Sequence, residues 1–208
     1  MRYTRKEGII KRHIAEHKAI YIIILGIFTF GFIIGSMNSA FLGQDIKQES
    51  TNYILTFVES LKTKNIDNNL LLREVIISNI KPIIYIWTFG LIIIGIPAIF
   101  IYVGLYGYSI GFTITSVINS LGVGKGSVFL ITSLIPQEII FIPIIMFIAL
   151  NAITFSKIIN TTLRSSLKSE IISYTFILII SSVIVLGVSL FQTYIGTNLV
   201  KGLMSIIY

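Results

Sequence analysis

The chain has 208 residues, 54% of them hydrophobic and only 12% charged, with a mean hydropathy of +0.90. A soluble domain usually carries about twice that share of charge, so composition alone places the chain among integral membrane proteins. Sixteen Lys and Arg against nine Asp and Glu leave a net charge of +7. The basic residues stand beside apolar runs, where they set orientation and meet anionic lipid, and form no patch interleaved with aromatics, which excludes a nucleic-acid partner. The absence of cysteine removes disulfides, a thiolate nucleophile and a cysteine metal site.

A membrane-crossing helix needs about 20 mainly apolar residues, so the long gaps between charged residues locate the crossings. Residues 1–18 carry Arg2, Arg5, Lys6, Lys11, Arg12 and Lys18. Thr4-Arg5-Lys6-Glu7 matches a capping box ahead of Ile9, Ile10 and Ile14, which predicts a basic amphipathic helix on the cytoplasmic surface. The first crossing is expected over 19–40. Its basic start and trailing "GSMNSA" resemble a secretory signal, but more apolar runs follow, and the segment is expected to stay uncleaved.

An extracytoplasmic loop follows over 41–81. Its five Lys and Arg are balanced by Asp45, Glu49, Glu59, Asp67 and Glu74. Tyr53, Ile54, Phe57, Val58 and Leu61 recur there at helical spacing, and a second helix is expected from about Asn69 to Ile80. An apolar face outside the membrane must rest on lipid, on the bundle or on a partner, so these five residues are a candidate partner contact.

The uncharged gap from Lys81 to Lys125 is too long for one helix. It predicts crossings over 82–103 and 106–121 with the turn at Gly104 to Gly107, and Pro82 opening the first, where its missing N–H costs nothing. The next crossing falls within 127–155. "LIPQEIIFIP" holds Pro136 and Pro143 in one apolar run, and each removes a backbone donor. The expectation is a half-helix over Ser127–Ile135, re-entrant or interfacial, then a break near Pro136, then a crossing from Gln137 to Phe155. A cytoplasmic loop over 156–170 carries Lys157, Arg164 and Lys168. The fifth crossing is expected over 171–195, with an extracytoplasmic tail over 196–208. The predicted fold is an all-α integral membrane protein: five transmembrane helices, the fourth broken near Pro136, plus short amphipathic helices. Lys/Arg bias puts the N-terminus in the cytoplasm and the C-terminus outside.

Gly107-Tyr108-Ser109-Ile110-Gly111 matches the G-x-S-x-G of serine hydrolases, whose Ser needs a preceding strand and a base. Neither is at hand: the two histidines, His13 and His17, lie in the N-terminal segment. On a helix Gly104, Gly107 and Gly111 share one stripe and Ser109 points away. Gly31, Gly35 and Ser39 repeat the device in the first crossing. Small residues at such spacing let two backbones approach closely, so these six are expected to pack helices.

Glu138 is acidic within an apolar run, and ionisable groups at membrane depth are costly and often functional. With Pro136, Gln137 and Pro143 it marks a helix break or a candidate polar site. Free N–H groups at the start of the second helix piece are the expected partners of its carboxylate. His13 and His17, four apart, lack a third ligand and an H-E-x-x-H pattern. Gly122 to Gly126 lacks the spacing of a phosphate loop. No catalytic, metal or cofactor site is expected.

Together, "SNIK" (78–81), "WTFGLIIIGIPAIF" (87–100), "YGYSIGFT" (106–113) and "LIPQEIIFIP" (134–143), in that order behind a basic N-terminal segment and a first span, make the chain resemble the stage II sporulation protein M family. Broader relatives carry a Pro-His-Gly turn and a Glu in this region. Here Gln137 and Glu138 follow the proline and position 141 is Phe, so no role of that His and Glu transfers. The resemblance implies a non-catalytic scaffold in the mother-cell membrane at the sporulation septum. Its implied partners are stage II sporulation proteins D and P, which degrade peptidoglycan during forespore engulfment. Membrane lipid is the other partner, and a homo-oligomer stays open. Two other classes are a small transporter or channel using the broken fourth span and Glu138, and an intramembrane enzyme using Ser109.

Overall fold

The computed structural model describes residues 17–63, 68–92, 94–161, 167–199 and 202. The expected amphipathic helix over 1–18 lies almost wholly outside them, as does most of the tail. The described residues form seven α-helices and no strand: α1 Lys18–Ala40, α2 Gln44–Thr63, α3 Asn68–Gly90, α4 Gly95–Leu121, α5 Val123–Ser133, α6 Ile135–Thr161 and α7 Leu167–Phe191. A π-helical turn, Gln192–Gly196, continues α7. Four helical stretches are long and apolar enough to cross a membrane: Lys18–Ala40, Gly95–Leu121, Ile135–Ile159 and Leu167–Leu199. Their outward faces are apolar, with Phe30 66% and Ile101 64% exposed, as lipid contact requires.

The turn expected at Gly104 to Gly107 does not form. Residues 82–103 are shared between α3 and α4, the first ending at Gly90 and the second starting at Gly95. At this junction Leu91 N–H bonds the Thr88 carbonyl at 3.1 Å, Ile92 N–H that of Phe89 at 3.1 Å, and Gly95 N–H that of Ile92 at 2.9 Å. Gly95 makes the junction feasible, because a methyl group there would strike the Phe89 carbonyl. Gly104 and Gly107 stay helical because helix packing uses them; among the described glycines only Gly122, at φ 78°, has positive φ.

Pro82 likewise does not open a helix. It lies inside α3, which runs on from the expected Asn69–Ile80 segment to Gly90. A proline within a helix frees the carbonyl four residues back, here Ser78. The break expected at Pro136 contracts to one residue, Leu134 (φ −94°, ψ −50°), between α5 and α6. Leu134 N–H bonds Leu130 at 3.0 Å and Glu138 N–H bonds Leu134 at 3.1 Å, carrying helical bonding across the junction. Pro136 sits in the first turn of α6, where no N–H is needed, and Pro143 is accommodated inside α6.

The main core lies between α1, α3, α4, α6 and α7. Ile24, Ile83, Ile86, Ile99 and Val103 are fully buried there, beside Phe141, Ile145 and Leu150. A smaller core of Val117, Leu121, Phe129 and Leu130 joins α4 to α5, and Ile54 and Leu55 of α2 pack on it. Thr51 and Ser120 hydroxyls meet at 3.2 Å on the same contact. Helix α2 is therefore docked on the bundle.

Candidate functional site

The most extensive helix contact joins α1 to α4. A methyl on Gly31 would coincide with the Gly104 carbonyl, and one on Gly35 with the Tyr108 carbonyl. In return, a methyl on Gly107 would strike the Phe28 carbonyl and one on Gly111 that of Phe32. Each helix thus receives the other's backbone in the gaps its glycines leave. Gly104 differs from its stripe mates: its carbonyl is what Gly31 receives, and a methyl there would lie 3.4 Å from Ile27, an ordinary contact. Ser39 closes the seam with a buried hydroxyl contact to Ser116 at 2.7 Å. Residue numbers rise together along both helices, so α1 and α4 run parallel.

Ser109 falls off this seam, on an exposed part of α4; its carbonyl accepts a bond from the Thr113 hydroxyl at 2.8 Å. His17 lies at the start of α1, and His13 lies outside the described residues. Among the described residues no three His, Asp or Glu side chains converge as metal ligands.

A polar cluster forms where α3, α4, α6 and the π turn meet. The Tyr106 hydroxyl donates to Glu138 Oε2 at 2.8 Å. This phenol, rather than helix N–H groups, is the partner the structure places on the carboxylate. Beside it, Gln137 Nε2 donates to Asn79 Oδ1 at 3.2 Å. Asn79 is buried and its Nδ2 donates to Ser189 Oγ at 3.0 Å and Gln192 Oε1 at 3.2 Å. Asn79 so ties α3 to α6, α7 and the π turn. In apolar surroundings such bonds specify one arrangement, because an unmade one leaves a buried polar group unpaired. Glu138, Gln137, Asn79, Tyr106, Ser109 and Thr113 border a cleft of about 220 Å³ here. Single-turn π elements often mark functional positions.

The sequence profile of the family described as stage II sporulation protein M matches residues 20–196, most of the chain. The chain belongs to the stage II sporulation protein M family. No curated protein and no solved structure matches it. Membership in the stage II sporulation protein M family, with four helices among the described residues able to cross a bilayer, makes this a sporulation-related membrane protein.

Of the residues singled out by sequence, the structure brings the two small-residue stripes together and sets Gln137 and Glu138 at the cleft with Pro136 beside them. Pro143 stays in the body of α6. Of the candidate partner face, Ile54 packs on the smaller core, Tyr53 is 76% exposed, and the side chains of Phe57, Val58 and Leu61 lie outside the described ones. Sequence reasoning missed Asn79, Tyr106, Ser189 and Gln192. One signal was available for Asn79, which stands four and seven residues before Ile83 and Ile86 and so shares their buried face.

Proposed function

We propose that this protein is a non-catalytic membrane scaffold in a sporulation complex. It holds peptidoglycan hydrolases, stage II sporulation proteins D and P, at the septum so that wall is remodelled as the mother-cell membrane engulfs the forespore. The observation that carries this reading is family membership across residues 20–196. A glycine-sealed α1–α4 pair is consistent with a rigid platform.

The proposed topology has five crossings, N-terminus in the cytoplasm and C-terminus outside. Its support is the parallel pairing of α1 and α4, which requires the chain to return between them. The segment available is α3, whose last turns carry the buried Ile83, Ile86 and Gly90. The loop helix α2 then lies on the wall side, where the hydrolases act, and carries the exposed Tyr53. Aromatic anchors often dominate such contacts, at about 2 kcal/mol or more when truncated.

The test is recovery of the hydrolases with this protein from sporulating cells in gentle detergent. Phe57→Ala with Leu61→Ala, or Tyr53→Ala alone, should lower that recovery at unchanged protein level. Full recovery and engulfment in both variants moves docking to the spans. The purified protein should release no muropeptides; wall cleavage by it alone ends the scaffold reading.

A further inference from the structure

Glu138 borders a cleft in which several oxygen acceptors converge. Its Oε2 accepts from Tyr106, and an ionised carboxylate keeps several further lone pairs. Gln137 uses an N–H on Asn79, which leaves its carbonyl oxygen unspent. The Thr113 hydroxyl uses its proton on the Ser109 carbonyl, so it offers lone pairs only. Ser78 and Pro82 both border the cleft, and Pro82 has no N–H to give the Ser78 carbonyl. Among the described residues that line it there is no Lys or Arg.

An anion in apolar surroundings is costly unless it takes up a proton or a positive charge accompanies it. The cleft, of about 220 Å³, has room for an ion together with some of its water. One carboxylate is one charge, which a single positive charge neutralises; calcium sites draw on more carboxylates than this. We infer that the cleft binds a monovalent alkali-metal cation with part of its water shell, held by Glu138 and the oxygens of Gln137, Thr113 and Ser78. These residues belong to α3, α4 and α6, so the bound ion clamps the three helices beside the Asn79 cluster. This site does not depend on the scaffold reading and would serve any function of the bundle.

The test uses the full chain in detergent, with NaCl or KCl titrated into choline chloride at constant ionic strength. Calorimetry should show a saturable, single-site heat for Na⁺ or K⁺, and the melting temperature should rise over the same concentrations. Glu138→Gln, which keeps the shape and the Tyr106 bond, should lose both responses. Thr113→Val, at the exposed rim, should weaken binding, and covers the case in which Glu138→Gln does not fold. The inference fails if wild type gives no saturable heat with either salt, if choline stabilises equally, if only Mg²⁺ or Ca²⁺ responds, or if either variant binds as wild type does.

Discussion

Alanine at Gly31 should destabilise the protein, although alanine ordinarily improves a helix. The reference is Gly26→Ala on the same helix, where nothing lies within 4 Å of the added methyl and the propensity gain is about 0.8–1.0 kcal/mol. At Gly31 the same gain is opposed by overlap with the Gly104 backbone carbonyl. A helix backbone cannot swing aside as a flexible side-chain end can, so α1 and α4 must part by roughly 1 Å, which forfeits about a quarter to a half of each dispersion contact across the opened seam. Overpacking of this kind costs about 1–3 kcal/mol. Propensity cancels between the two variants, so Gly31→Ala should unfold about 1–3 kcal/mol more easily than Gly26→Ala. Gly104→Ala should resemble Gly26→Ala, since its methyl meets Ile27 at an ordinary 3.4 Å. The assay is equilibrium unfolding in mixed micelles, titrated with SDS and followed by far-UV circular dichroism. If Gly31→Ala and Gly26→Ala unfold together, the interlocked-backbone account of the α1–α4 seam is refuted.

Gly107→Leu or Gly111→Leu should lower protein level in cells, because each methyl position already meets an α1 carbonyl, whereas Ser109→Ala should preserve both level and sporulation. Loss of sporulation at normal level in Ser109→Ala would revive the nucleophile. Asn79→Ala leaves Gln137 and Gln192 short of a partner and should cost about 1–3 kcal/mol in the same unfolding assay; an unchanged midpoint means water replaces the amide. Tyr174→Phe deletes a 3.0 Å bond to the Trp87 carbonyl but keeps the stack between Phe155 and Trp87, at 4.3 and 5.9 Å between ring centroids. It should cost about 1 kcal/mol with little change in emission from Trp87, the sole tryptophan, and a large emission shift would show that the bond orients the indole. With no native cysteine, Cys at Ser60 or Ser205 should react with an impermeant reagent in intact cells and Cys at Ser166 only after lysis; the reverse pattern inverts the proposed topology.

The sequence by itself determined the membrane class, most of the apolar stretches and the small-residue stripes, because these are local properties. A long uncharged run has few structures open to it in lipid, and glycines four apart share a helix face wherever that helix goes. It also pointed to Glu138 as the acidic residue of an apolar run. What it misplaced were the turns: Gly104 and Gly107 read as punctuation because glycine serves both reversals and close packing, and only the presence of α1 against α4 separates the two uses. Pro82 and Pro136 read as starts and breaks by backbone chemistry alone, yet the surrounding helices let α3 continue through one and narrow the other to Leu134. The tertiary structure alone decided that α1 and α4 run parallel. It alone brought Asn79 to Gln137 and Ser189, separated by 58 and 110 positions, and set Tyr106 on Glu138. Periodicity says which face of a helix is buried but not which helix will face it, and a polar cluster between helices exists only once that choice is made.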